Sequence, residues 1–161
     1  MLKSGEEEES RGRKRGKAVR VARTSVGKGV FAQRTYRGGD IIGEIDGEVI
    51  DDVEYGSDYC MNMGDNRRLE PAPPFRYVNH SCEPNCRFDF FDVRDDSKPP
   101  SARRRVFLLA KYEIRPGEQF TIDYGWSWQG AIRCRCGAPT CRGWIVSVAD
   151  LPQLLAHLAL G

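Results

Sequence analysis

No hydrophobic run in this chain approaches the roughly 20 residues that a membrane span needs, so no membrane partner is expected. The opening MLKSGEEEES carries no apolar stretch behind its single early lysine, which argues against a secretory leader and for an intracellular protein. Internal repeats at periods of about 20–50 residues are absent, which argues against solenoids and propellers. Helical periodicity is nearly missing as well. Only VADLPQLLAHLAL spaces its leucines for a helix, at Leu151, Leu154, Leu155 and Leu158. Histidine is scarce, and of the two only His80 has other chemical groups beside it.

What is present suits one domain. A length of 161 residues leaves room for a single core, and 40% hydrophobic with 30% charged residues reads as globular. The net charge is only +2 but unevenly spread. Glu6, Glu7, Glu8 and Glu9 are followed at once by RGRKRGK, Arg11 to Lys17, and then Arg20. That run reads either as a basic arm for a weak nucleic-acid contact or as a solvated tail. From Val19 the chain becomes β-like: VRVART, GVFA, DIIGEI and EVI are rich in Val and Ile and punctuated by glycine. RRRVFLLAKYEI, 103–114, is the strongest strand, and the DDSKPPSA before it reads as a hairpin tip or long loop. FTIDYGW resumes an alternating strand after the PGEQF turn. Asp51 to Pro74 reads as a loop-rich insert with room for one short helical turn. The architecture expected is mainly β with one small C-terminal helix.

Six cysteines in a reducing compartment are better read as metal ligands or catalytic groups than as disulfides. Cys134, Cys136 and Cys141 in RCRCGAPTCRGW have the density and turn residues for tetrahedral zinc. The interleaved Arg133, Arg135 and Arg142 rule out an apolar core strand. A fourth ligand is then needed, from Cys60, Cys82, Cys86, His80 or His157. Residues 77–86, YVNHSCEPNC, admit three readings: a Cys82–His80 hydrolase, a zinc ligand at Cys82, or a cofactor clamp at Asn79 and His80. The hydrolase is weakened by the lack of an orienting acid or a glycine-rich oxyanion loop.

YVNHSCEPNC resembles the NHSCxPN signature of SET-domain protein-lysine methyltransferases. GKGVFA (Gly27 to Ala32), GGDIIGEIDGEVI, GEQFTIDYGW and CRCGAPTCRG are similar to further motifs of that family, in its order. The resemblance implies an all-β, β-clip arrangement of small sheets with the NHSC segment threaded as a pseudoknot. It divides the chain into a charged tail over 1–18, a SET domain over 19–126, a post-SET zinc segment over 127–146 and a helix over 147–161. The implied reaction transfers a methyl group from S-adenosylmethionine to the ε-amine of a lysine in a histone or another basic protein.

Carried over by position, Tyr124 stands at the methyl-transfer point. Lys28 and Gly29 would lie against the cofactor's methionine part, Tyr59 would line cofactor or channel, and Arg76, Asn79 and His80 would hold its adenosine and carboxylate ends. Trp144 would cover the adenine or pack in the core. Phe88, Ile122, Tyr124 and Trp126 would form the substrate channel, with Trp128 as wall or packing. Cys82 would complete the zinc site of Cys134, Cys136 and Cys141. Phe88 and Ile122 lack the hydroxyl that crowds the amine in some monomethylating members, so di- or trimethylation is expected. The insert between Gly47 and Arg76 is short, and Glu70 stands where the family often has aspartate. A non-catalytic SET-like module on chromatin or nucleic acid is the alternative, disfavoured because Tyr124, Asn79 and His80 are all retained. A eukaryotic source would place the protein at the chromosome, a bacterial one in the cytoplasm.

Overall fold

The computed structural model describes residues 18–64, 66–94, 96–97 and 104–160. The basic arm from Arg11 to Lys17, and Arg103, lie outside them. Along the chain run β1 (Val19–Thr24), β2 (Gly27–Ala32), β3 (Ile41–Glu44), β4 (Gly47–Ile50), β5 (Met61–Asn62) and β6 (Arg68–Pro71). A 3-10 turn (Phe75–Tyr77) leads into β7 (Asn79–His80), β8 (Cys86–Asp92), β9 (Arg104–Ala110) and β10 (Thr121–Ile122). A second 3-10 turn (Trp128–Gly130), β11 (Ile132–Arg133), β12 (Trp144–Ile145) and helix α1 (Leu151–Ala159) complete it.

The strands form small sheets: β1–β2, β3–β9–β8, β4–β6–β5, β11–β12, and the parallel pair β7–β10. Their inward residues meet in one core, where Val30, Tyr36, Leu108, Ile114 and Phe120 are fully buried. Tyr36 satisfies its hydroxyl by donating to the Ala18 carbonyl at 3.0 Å, so its burial strands no polar group. Two glycines allow neighbouring elements to approach closely. A Cβ on Gly47 would lie 2.1 Å from the Glu70 carbonyl of β6, and one on Gly43 would lie 2.6 Å from the Phe75 ring. The β3–β9 register shifts between Ile41 and Gly43.

Several expected elements are shorter or different. The 103–114 run ends its strand at Ala110, where Lys111 instead donates its N–H to the Asn85 carbonyl and Ile114 forms an isolated bridge with Tyr36. FTIDYGW keeps only Thr121–Ile122 as strand, because the chain turns away toward Gly125 at φ +60°. The insert contains β5 and β6, and its helical turn falls just beyond it at Phe75–Tyr77. In α1 only Leu154 is buried, while Leu155 and Leu158 face solvent.

Candidate active site

The NHSC segment is fixed by long-range polar contacts more than by its two-residue strand. β7 pairs with β10, and Ser81 donates its N–H to the Ile122 carbonyl at 2.9 Å. Asn79 Nδ2 donates to the Lys28 carbonyl at 2.9 Å, tying the segment to β2. Asn85 Nδ2 donates to the Gln119 carbonyl while its Oδ1 accepts the Thr121 N–H, at 2.8 and 2.9 Å. An amide side chain supplies both donor and acceptor, which is why asparagine suits this bridging position.

These contacts bring His80 and Tyr124 together. The Tyr124 N–H donates to His80 Nδ1 at 3.2 Å, so that nitrogen is unprotonated and the ring hydrogen sits on Nε2. Nε2 then faces Cys82 Sγ at 3.4 Å as a donor, which removes the free base that a Cys82–His80 hydrolase needs. Asp123 Oδ1 lies 3.5 Å from Nδ1, but that oxygen is held by Arg142 at 2.8 Å. Burial lowers the His80 pKa and outweighs the attraction of Asp123, so the neutral ring agrees with the hydrogen bonding. The Tyr124 hydroxyl donates to the Val78 carbonyl at 2.9 Å. Burial, with a smaller contribution from Tyr59, pushes its pKa up to about 12.

Tyr124 lines two cavities at once. The larger, about 590 Å³, takes the expected channel residues Phe88, Ile122 and Trp126, with Ile45 and Leu108 from the core. The smaller, about 510 Å³, is lined by Asn79 and His80. Arg76, expected with the cofactor end, and Tyr59, expected to line cofactor or channel, both line the larger cavity and not the smaller one. Glu70 explains this placement. It pairs with Arg76 at 3.2 Å and accepts from Ser57 Oγ at 2.5 Å, while the Arg76 guanidinium lies 4.5 Å over the Tyr59 ring. Lys28, Gly29 and Trp144 line neither cavity. Lys28 contributes its carbonyl to Asn79, and Trp144 is covered by the Arg133 guanidinium at 4.1 Å. Sequence reading missed Val26, Ile132, Arg133 and Ile145 in the smaller cavity. Their only linear signal was proximity to GKG and to the cysteines.

Cys82, Cys134, Cys136 and Cys141 converge, with all four sulfurs within 4.8 Å of one another. Tetrahedral Zn–S bonds of about 2.3 Å separate sulfurs by about 3.8 Å. Cys82 Sγ lies 3.8 Å from Cys134 Sγ and 3.9 Å from Cys141 Sγ, so the residues fit that ion. The Arg142 and Gly143 N–H groups donate to sulfur at 3.4 Å, as donors around metal thiolates do. At Cys136 burial raises the pKa, but the Cys82 and Ala138 N–H groups and the neighbouring sulfurs offset it and bring the value to about 6. The other candidate ligands are engaged elsewhere. Cys60 Sγ accepts the Ser57 N–H, Cys86 is buried and pushed up to about 12, and His157 stacks on Trp128.

The SET domain family matches residues 27–125, which hold β2 through Tyr124 and Gly125. The chain is 33% identical over 149 residues to the histone-lysine N-methyltransferase Set2 of Drosophila melanogaster and 31% identical over 145 residues to the histone-lysine N-methyltransferase trr of the same fly. These matches cover 81% and 79% of this chain, but only 6% of each relative's length. The crystal structure of KRYPTONITE in complex with mCHH DNA, H3(1-15) peptide and SAH superposes with a TM-score of 0.66 at 25% identity, over 79% of this chain and 29% of that one. Fold, motif order and family match agree: the chain belongs to the SET-domain family.

Proposed function

We propose that the protein transfers a methyl group from S-adenosylmethionine to the ε-amine of a protein lysine. The observation that carries this reading is Tyr124, which lines both cavities and whose hydroxyl is fixed on the Val78 carbonyl. The smaller cavity has a volume in the range of cofactor sites, and Asn79, His80 and the apolar Val26, Ile132 and Ile145 would hold the cofactor there. When bound, S-adenosylmethionine supplies an electrophilic methyl group on a positively charged sulfur. The larger cavity would take the lysine. A lysine has an ordinary pKa of about 10.4 and must lose its proton to attack. Apolar walls at Ile45, Phe88, Leu108 and Ile122 would disfavour the ammonium by desolvation. The Tyr124 hydroxyl and the Val78 carbonyl offer oxygens for weak CH···O contacts that align the reacting groups.

Cys82, Cys134, Cys136 and Cys141 would hold a structural zinc ion. The domain would span 19–126, the zinc segment 127–146, and the helix 147–161. The names of the relatives support a histone substrate, and with it a chromosomal location in a eukaryotic cell. The basic arm from Arg11 to Lys17 would add a weak nucleic-acid contact. The test is transfer from labelled S-adenosylmethionine to a panel of histones and other basic proteins. Tyr124→Phe is expected to lose about 10²-fold or more, by analogy with removal of one transition-state contact. Equal transfer by wild type and Tyr124→Phe would defeat the assignment, and a wild type that binds histone without transferring would favour the binding-module alternative.

A further inference from the structure

The loop after Tyr124 supplies Gly125, Trp126, Ser127 and Gly130 to the wall of the larger cavity. It makes short internal bonds, Gly130 N–H to the Ser127 carbonyl and Ala131 N–H to the Trp128 carbonyl. It is also tied to the start of the C-terminal helix. The Ser147 N–H donates to the Trp126 carbonyl at 2.8 Å, and the Trp128 N–H donates to Asp150 Oδ2 at 3.1 Å. The His157 ring lies 5.2 Å from that of Trp128. Through Trp126 these ties reach Tyr124, whose ring centroid is 5.4 Å from the indole.

Asp150 occupies the N-cap of α1, where an aspartate ordinarily accepts an N–H from the first turn of its own helix. Here the carboxylate makes no such bond. Pro152, in the first turn, has no N–H to be capped, and the carboxylate reaches back to the loop instead. We propose that Asp150 is a positioning residue, which holds the 125–130 loop as the wall of the lysine channel. The role rests on the reading of the larger cavity as that channel. It makes the C-terminal helix, outside the stretch matched by the family, a working part of the substrate site.

Three variants of the full chain separate this role from helix capping. Asp150→Asn keeps an acceptor of the same reach. Asp150→Ala removes it. Asp150→Ser keeps a good cap but is too short to meet Trp128. With core histones as substrate, Asp150→Ala and Asp150→Ser are expected to raise the histone KM about fivefold or more, while Asn stays near wild type. The affinity for S-adenosylhomocysteine should stay within about twofold of wild type throughout, since the loop does not line the smaller cavity. Restoration by serine, an unchanged alanine variant, or a parallel loss of S-adenosylhomocysteine affinity would overturn the proposal. If the wild type transfers no methyl to any protein, the methyltransferase reading falls, and amide exchange decides the anchor. Faster exchange across 125–131 in the Ala and Ser variants alone upholds it, and equal exchange ends it.

Discussion

At the scale of single residues, His80 and Tyr124 divide the polar work between them. His80 uses one ring nitrogen to receive the backbone of Tyr124 and the other to face Cys82, so it joins Tyr124 to the sulfur cluster. Tyr124 is left with its hydroxyl protonated well above the ordinary value of 10.0, at about 12. Methyl transfer should therefore rise with pH as the substrate amine loses its proton, without a falling limb from Tyr124 below about pH 11. The stability sign is opposite. In the unfolded chain the tyrosine ionises near 10.0, whereas the folded site resists ionisation up to about 12. Its contribution is complete below the first value and declines as pH rises between the two. A pH–rate profile whose falling limb appears near pH 9 and vanishes in Tyr124→Phe would contradict the burial argument.

At the scale of elements, close backbone approach and the cysteine cluster govern how the parts join. Gly47→Ala places a Cβ against a β6 carbonyl that cannot rotate away, so thermal unfolding should show destabilisation of about 1–3 kcal/mol or more. The segment around the cluster is also docked by polar ties: Thr140 N–H to Glu83 at 3.0 Å, and Arg142 to Asp123 and the Val146 carbonyl. β11 and β12 of this segment wall the smaller cavity. Chelation or Cys136→Ser is thus expected to loosen the segment and weaken S-adenosylhomocysteine binding together. Active protein that contains no zinc by metal analysis would refute the ligand assignment.

At the scale of the whole molecule, small sheets around one core hold two cavities against a shared tyrosine. The larger is bounded near Tyr124 by Phe88 and Ile122, neither of which can hold a water beside the amine through a hydroxyl. With excess S-adenosylmethionine, mass spectrometry should find di- or trimethylated lysine. A product that stops at monomethyl would overturn this reading and turn attention to the Tyr59 hydroxyl, which lines the same cavity.

The motifs were legible because each is a local spacing: within NHSC, within DYG and within the C-x-C-x4-C run the residues lie only a few positions apart. Val and Ile density likewise marked β1 to β4, and the apolar 103–114 run contains the whole of β9. The two-residue strands β5 and β7 were not legible, since such pieces persist only through partners elsewhere in the chain. The sequence by itself determined which chemical groups are present and the mainly β character. Only the tertiary structure decided that Cys82 joins the C-terminal cysteines, that Glu70 draws Arg76 and Tyr59 to the larger cavity, and that Asp150 serves the loop after Tyr124. Those outcomes depend on side-chain direction and long-range pairing, which burial and hydrogen-bond satisfaction settle after the chain has folded.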